Sequence, residues 1–596
     1  MISEIPRYLI TTADERTWKF DCPVLFLGEW CRLYERKHIW ESMDAIVAKP
    51  YGLGLAHKDA DYAQARAIED RIFPKLYEVL NQHHGTQYGQ RFWKVVLGHW
   101  LRRYVDVIFN RIRTLEQCLV EYQIDGTAAF TDEYYSLATV DSYSAIWAFS
   151  DDRWNNKIYS RILNQLDVRN FQVDRIPGDT SEGYSWQAMI TEPHWGKQIL
   201  KCGYEDAKKL IRLFARYNEA FILNTYLPTN EEIKLQFSLR QVPQLWTSPM
   251  QLITNKVNHD LRHRLSKHII GTYSHTVEGI LISMIFEILP LCYLENFEIL
   301  MKKIRQLPWP EKPKFIFTGN NFDTDEVFKL WTAVKIETGT PYIVGQHGNN
   351  YGTYRYMFPS VEEATADKFL TWGWTDGLIQ HTPSFIFRTS GRRVKKYNSK
   401  GGLLLIELPM PHRITVWDNI YEFVDYFEDQ QRFIINLQKL PRKRLTIRLH
   451  SSYRNTKWGE ELRWRTFDEN LKIETGRLNI KKMVAQSRLV IHSYDSTGLL
   501  ETLSLNIPTL AFWQNGFEHL RESAKPYYKL LMNVGIIHLS PESTARKVNE
   551  VWDDVAGWWE QVEVQKARQT FCDRYAKFSQ NPIVDLKKVL LQNEIP

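Results

Sequence analysis

Twice along this chain, short apolar runs alternate with helical stretches, and that alternation restricts the fold more than any other feature. From residue 313 the runs KFIFTG, PYIVGQHG and DKFLTWGW are interleaved with the helical stretch DEVFKLWTAVKIE. The pattern restarts at residue 401: GLLLIELPMP, the helical VWDNIYEFVDYFEDQQRFIINL, KRLTIRLH, NIKKMVAQ, RLVIHSYDSTGLLETLS, IPTLAFW and VGIIHLS. Strand and helix in alternation predict parallel sheets covered by helices on both faces. Between the two units, Thr382 to Gly402 is basic and ends in a glycine pair, as an exposed connector would. The sequence is therefore divided into an N-terminal domain over 1–385, a linker over 386–400, a second α/β domain over 401–553 and a helical tail over 554–596.

The first 300 residues read mainly as helix. Two short strand-like segments, Tyr8 to Thr12 and Pro23 to Leu27, open the chain, with Gly28 and Glu29 turning after the second. In Arg91 to Ile112 (RFWKVVLGHWLRRYVDVIFNRI) apolar and aromatic residues fall three and four apart, the period of a helix with a broad buried face. Glu205 to Leu223 reads as helix too, and a helical insertion is expected over about 30–300. The apolar run Gly279 to Leu294 falls short of the roughly 18 residues needed to span a bilayer and contains Glu287 and Pro290, so it reads as a buried helix.

A chain of 596 residues exceeds one compact core. With 76 basic and 70 acidic residues the net charge is +6, which gives little support to a nucleic-acid partner. Cys22, Cys31, Cys118, Cys202, Cys292 and Cys572 are scattered without CxxC spacing. Neither a zinc site nor a disulfide framework is indicated, and a cytoplasmic location fits. The opening residues meet acidic and polar side chains before any signal-like apolar stretch.

Ligands of open parallel sheets bind where strands end, so three strand-end loops carry the functional reading. In the first, the buried strand Leu489 to His492 runs into Ser493, Asp495, Ser496, Thr497 and Gly498, and a helix follows. Hydroxyls, a glycine and free N–H groups at a helix start suit a phosphate, and Glu501, one turn on, suits the hydroxyls of a ribose. The same residues are also ordinary helix caps and first-turn acids. In the second, RLTIRLHSSYRN, strand alternation puts Arg448 and His450 on one face, able to converge on an anion unless Arg448 pairs with a structural carboxylate. In the third, PYIVGQHGNNYG, a strand ends in Gln346, His347 and Gly348, placing a histidine where proton transfer is possible and a glycine where substrate approaches. Should His347 be structural, the base falls to an acid of the first domain, Glu29 or Asp323.

Asp323-Thr324-Asp325 spells DxD, a spacing used elsewhere to hold a nucleotide-bound cation. Residues two apart diverge on a helix, so capping by Asn320, Asn321 or Asp323 is the preferred reading and no metal is expected. The basic clusters Arg392, Arg393, Lys395, Lys396 and Arg442 to Arg444 read as solvated faces, with acidic lipid or polymer as an alternative partner.

Together, the H-G at the last strand of the first unit, the basic-x-H of the second and the DST-G-x-x-E run resemble GT-B glycosyltransferases, in particular the bacterial capsule and teichoic-acid polymer transferases. RLHSS departs from them in lacking the proline that usually follows the second histidine. VLFLGEWCRLY and RFWKVVLGHWLRRY look like a family of transferases associated with O-antigen and surface-carbohydrate loci, and STG-x-x-E is also similar to UDP-N-acetylglucosamine 2-epimerases. The resemblance implies an α/β GT-B fold of two Rossmann-like domains facing across a cleft. It also implies metal-independent transfer of a sugar from a nucleotide donor to a surface glycan or lipid-linked acceptor, in lipopolysaccharide O-antigen or capsule biosynthesis. A CMP-linked, Kdo-like sugar is one donor it allows. His347 would then be the base, with Arg448, His450, Ser496, Thr497 and Glu501 holding the donor. The nucleotide-sugar is a substrate, so no cofactor is implied. Peripheral attachment at the inner face of the cytoplasmic membrane is compatible with this. The alternatives are an epimerase or CDP-alditol phosphate transferase on the same fold, and a non-catalytic scaffold of a polysaccharide assembly complex.

Overall fold

The computed structural model describes residues 5–131, 136–166, 171–178, 219–244, 246–248, 256–269, 275–391, 398–408, 423–451, 453 and 459–592. The fold is α/β, and its strands form three sheets, each entirely parallel. The first holds β1 (Arg7–Ile10), β2 (Val24–Phe26), β3 (Ala45–Val47), β4 (Ile124–Phe130) and β5 (Gln172–Ile176) in the order β3-β2-β1-β4-β5. The second holds β6 (Phe221–Leu223), β7 (Ile316–Thr318), β8 (Tyr342–Gly345), β9 (Lys368–Thr371) and β10 (His381–Pro383) as β10-β9-β8-β7-β6. The third holds β11 (Gly402–Ile406), β12 (Leu445–Arg448), β13 (Lys472–Glu474), β14 (Ser487–His492), β15 (Thr509–Phe512) and β16 (Ile537–His538) as β13-β12-β11-β14-β15-β16. That last order is doubly wound, with its switch point between β11 and β14.

The second and third sheets are the two Rossmann-like halves that the alternation predicts, and their apolar runs become strands in register. The first sheet corrects the reading of residues 30–300 as a helical insertion. β3 (AIV) is too short at three residues to stand out as a strand, and β4 (IDGTAAF) relies on glycine and alanines rather than a run of β-branched side chains. β6 likewise replaces the end of the helix expected over 205–223, of which residues 205–218 lie outside the described residues. Of the connector, residues 392–397 with their four basic side chains lie outside the described residues, while Phe385, Ile386 and Phe387 are buried core.

The long helices Leu55–His84 and Gln90–Glu121 do form, and the second is buried along most of its length. Phe92, Trp93, Val96, Leu97, Trp100, Leu101 and Tyr104 keep the three-and-four spacing and are almost fully inaccessible. Each large apolar side chain so buried stabilises by about 1.5–3 kcal/mol. The apolar run near residue 280 is the buried helix Val277–Ile288. Among the described residues no helix is long and apolar enough to cross a membrane.

Beyond the third sheet the chain returns to the second. Ile386 N–H donates to the Lys577 carbonyl (2.8 Å), Lys577 N–H to the Trp372 carbonyl (3.0 Å), and Leu586 packs with Phe315, Phe317 and Ile343. The helical tail thus straps the two halves together.

Candidate functional site

Two strand-end loops face each other and are joined by hydrogen bonds. After β8, the Gln346 side chain accepts from Trp372 N–H (2.9 Å) and Trp374 Nε1–H (2.8 Å) and donates to the Gly348 carbonyl (2.9 Å). Gln346 is therefore a structural brace for the loop rather than a group open to a donor. Beyond it, Asn349 N–H donates to Thr497 Oγ1 (2.9 Å) and Asn349 Nδ2 to Asp495 (2.8 Å), on the loop after β14. A Cβ on Gly348 would lie 3.2 Å from Thr497 Oγ1, so this close approach favours glycine.

His347, on the first of these loops, packs against Tyr226, Phe322 and Tyr351, at ring distances of 5.9, 5.6 and 5.4 Å. Its Nδ1 is 3.3 Å from the Tyr351 hydroxyl, which donates to Glu362 in a very short hydrogen bond. With Glu362 ionised, a hydroxyl that donates to the carboxylate can only accept from the imidazole, so in that state this chain places the proton on Nδ1 and leaves Nε2 as the basic nitrogen. Burial lowers the His347 pKa to about 4, keeping the ring neutral, as a base must be at the start of a reaction. Burial also lifts Glu362 to about 7.

His99 and Arg103, one turn apart on the Gln90–Glu121 helix, extend the cluster. Arg103 lies 2.6 Å from Asp323, and His99 lies 3.7 Å from Asp323 and 3.6 Å from Glu362. Burial, the largest single influence, opposes ionisation of Asp323, but the Arg103 guanidinium and its hydrogen bond, with His99 and Lys329 nearby, together outweigh it and hold the carboxyl well below its usual range. Burial takes His99 down to about 3, so it is neutral and its approach to Asp323 is not an ion pair. Asp325 turns elsewhere: it caps the helix Glu326–Glu337 by accepting from Phe328 N–H (3.0 Å), and it holds Asn321 and Ser248 at 2.6 Å each. The cap is thus Asp325, not Asn320, Asn321 or Asp323, and the two acids of DxD point to separate partners.

On the third sheet most polar side chains of the β14 loop are already engaged. His492 is buried between Ser496 Oγ (3.2 Å) and Thr502 Oγ1 (3.4 Å), with its pKa lowered to about 3 by burial. A Cβ on Gly498 would fall 2.8 Å from the His492 ring, so this glycine makes room for the histidine rather than for a ligand. Ser493 bonds Tyr426 (2.7 Å) and the Ile406 carbonyl (3.0 Å). Asp495 is clamped by Asn349, Tyr528 (2.9 Å) and His519 (3.2 Å). Ser496 caps the helix Thr497–Ser504 at Leu499 N–H (3.0 Å). Glu501 reaches Arg388 at 3.3 Å, and Arg388 lies over the Tyr226 ring that stacks on His347. Beside Glu501 a cavity of about 440 Å³ opens, lined by Ile480, Val484, Leu505 and Ile507 with Thr389, Lys481 and Thr502.

The remaining candidates lie apart from this cluster. Arg448 pairs with Glu474 of the adjacent strand (2.5 Å) and donates to the carbonyls of Leu449 (3.0 Å) and Leu478 (3.2 Å), the structural pairing its pattern left open. His450 is exposed at the end of β12. Glu29 belongs to the first sheet, where Arg32 holds its carboxylate at 2.6 Å. Tyr351, Glu362, His99, Tyr226 and Arg388 escaped the sequence reading. Only Tyr351, four residues from His347 in a polar loop, carried a local signal.

Glu407, just past β11 at the switch point, is buried with both oxygens accepting from Trp464 Nε1–H (3.0 and 3.1 Å). Burial, reinforced by neighbouring Glu460, pushes its pKa up to about 8 from an ordinary 4.5. Between those values the unfolded chain has lost the proton that the folded chain keeps, so this group's contribution to stability falls as pH rises from about 4.5 to about 8. Glu407→Gln retains an acceptor for Trp464 and removes that loss, on the order of 4 kcal/mol. Urea midpoints at pH about 5 and about 8 should show a smaller decline for the variant than for the parent, and equal declines would contradict it.

A family model described as LIC12162 family transferase matches residues 7–590. No curated protein sequence matches. Among solved structures, a Listeria monocytogenes protein assigned as a UDP-N-acetylglucosamine 2-epimerase is similar at 12% identity, over 63% of this chain and 98% of its own, with a TM-score of 0.34. The spinosyn rhamnosyltransferase SpnG with spinosyn aglycone is also 12% identical, over 50% of this chain and 77% of its own, TM-score 0.28. MurG of Acinetobacter baumannii is 13% identical over 50% and 77%, TM-score 0.28.

Proposed function

Because this chain belongs to the LIC12162 family of transferases, we propose that it moves a sugar from a nucleotide-activated donor to a hydroxyl of a surface glycan or of a lipid-linked acceptor presented at the inner face of the cytoplasmic membrane. The observation that carries this reading is the hydrogen-bonded apposition of the His347 loop and the start of the Thr497–Ser504 helix. It supports a reading in which the loop that carries a neutral imidazole adjoins the helix start assigned to the donor phosphates, the two elements that such a transfer needs.

In this mechanism the donor phosphates meet the N–H groups of Thr497 and Gly498, which the Ser496 cap does not engage, and the Arg388 guanidinium supplies positive charge as the phosphate leaves. Glu501 accepts from the ribose hydroxyls, and the nucleobase enters the adjoining apolar cavity. His347 Nε2 takes the proton of the acceptor hydroxyl as its oxygen attacks the anomeric carbon, and the sugar–phosphate bond breaks with its electrons passing to the nucleotide. Charge neutralisation by Arg388 and the helix start replaces a metal ion.

A calorimetric panel of UDP, GDP, CDP, CMP and dTDP tests the site. One nucleotide should bind, and Glu501→Ala should weaken it about 10- to 100-fold, the loss of a charged hydrogen-bond partner. Unchanged affinity in a folded variant removes this pocket from the mechanism. Product analysis with the matching sugar conjugate separates transfer from epimerisation, and an absence of turnover despite binding favours the scaffold.

A further inference from the structure

The first sheet has a cavity of its own, which the transfer reaction leaves unused. It measures about 280 Å³ and is walled by Leu27, Gly28, Glu29 and Trp30 after β2, and by Val47 to Tyr51 after β3. It therefore lies at carboxyl ends of parallel strands, where ligands of open α/β sheets bind. Asn110 and Thr114, one turn apart on the Gln90–Glu121 helix, close its far side.

These two side chains are 5% and 6% exposed. Asn110 Oδ1 accepts from Arg111 (2.6 Å), and a guanidinium can only donate, so the amide oxygen is fixed there and the NH₂ end is turned away. That NH₂ and the Thr114 hydroxyl have no hydrogen-bond partner among the described residues. Both groups are open to the cavity, where the hydroxyls of a bound ligand can pair with them. Around them are the apolar faces of Leu27, Val47, Ala48 and Pro50, the Trp30 ring held by its N–H to the Thr11 carbonyl (3.1 Å), and at the mouth Glu29 and the exposed Lys49.

We propose that this cavity is a carbohydrate-binding site separate from the transfer cleft, taking one neutral sugar residue. The chemistry that favours a sugar is mixed. An indole face and aliphatic walls suit the C–H surface of a pyranose, while an amide donor, a hydroxyl and a rim carboxylate suit its ring of hydroxyls. Glu29 and Lys49, the two charged side chains of the lining, carry opposite signs, so the lining itself has no net charge and suits a neutral ligand. The volume of about 280 Å³ is enough for a monosaccharide.

The test is saturation-transfer NMR on the full chain with the methyl glycosides of glucose, galactose, mannose, rhamnose and N-acetylglucosamine, each at about 10 mM, since a ligand of this size binds with a Kd of about 1 mM. At least one should receive saturation. The signal should persist in excess nucleotide and in Glu501→Ala, and fall at least about five-fold both in the isosteric Thr114→Val and in Ala48→Leu, which fills the cavity. Signal from none of the five, signal that survives both substitutions, or signal abolished by nucleotide each overturns the proposal, the first meaning a cavity that holds only water. None of these outcomes depends on whether the cleft transfers sugar, and failure of nucleotide binding leaves this result untouched.

Discussion

His347→Ala lowers turnover by roughly 100- to 10,000-fold with nucleotide affinity nearly unchanged, because the imidazole is assigned to the acceptor proton and makes no contact required by the donor phosphates. The structure adds a graded control. Tyr351→Phe removes the hydroxyl that accepts from Nδ1 while keeping the ring that packs against Phe369. It frees the tautomer without removing the base, so turnover falls about 10-fold and the imidazole nitrogen shifts move toward a mixed tautomer population. A structural histidine behaves differently: its loss lowers thermal stability and nucleotide affinity together, and Tyr351→Phe leaves turnover alone. Wild-type turnover in His347→Ala passes the role of base to an acid. Of the two acids Glu29 and Asp323, it is Asp323, beside His99 and Arg103, that lies within the cluster.

The largest loss of stability is expected at Lys329, whose side chain is completely inaccessible. Its Nζ lies 2.9 Å from Glu326, 3.0 Å from the Tyr293 hydroxyl and 3.3 Å from both Ser142 Oγ and the Asp323 carbonyl. Glu326 in turn accepts from Ser142 N–H (3.2 Å) and Tyr293 (3.0 Å), so one ion pair ties the second sheet's helix to residues 142 and 293. Lys329→Met strands a carboxylate where burial already pushes its pKa upward, and costs about 3–5 kcal/mol. The double change Lys329→Met, Glu326→Leu removes both charges and recovers most of that. Urea unfolding of the three proteins checks both statements; a single-variant loss below about 1 kcal/mol contradicts the first.

Both experiments rest on partners that the sequence reading did not single out. The β-strands from residue 313 onward were legible because strands buried on both faces of a parallel sheet must be apolar without interruption, and IFT, YIVG, LLLI and LVIH are. The loops that follow them were legible as sites for the same reason, since a strand can expose a functional group only where it ends. What each loop residue does was not legible there. Arg448 had the right residue type and spacing for an anion, yet Glu474 on the next strand takes it; Asp495 reads as a phosphate-loop acid, yet Tyr528, His519 and Asn349 enclose it.

By itself, then, the sequence determined the parallel α/β character of the chain's second half, the central buried helix from residue 90, and His347, Thr497 and Glu501 as strand-end groups. Periodicity of burial is local, repeating every two or 3.6 residues, and survives in the order of the amino acids. The tertiary structure alone decided that a five-stranded sheet underlies the first 180 residues, that Glu362 and Tyr351 orient His347, and that Asn110 and Thr114 face a cavity. Those facts depend on which groups meet across long intervals, as Asn349 meets Asp495 from 146 positions away, and a hydrogen bond at such a separation leaves no period in the sequence.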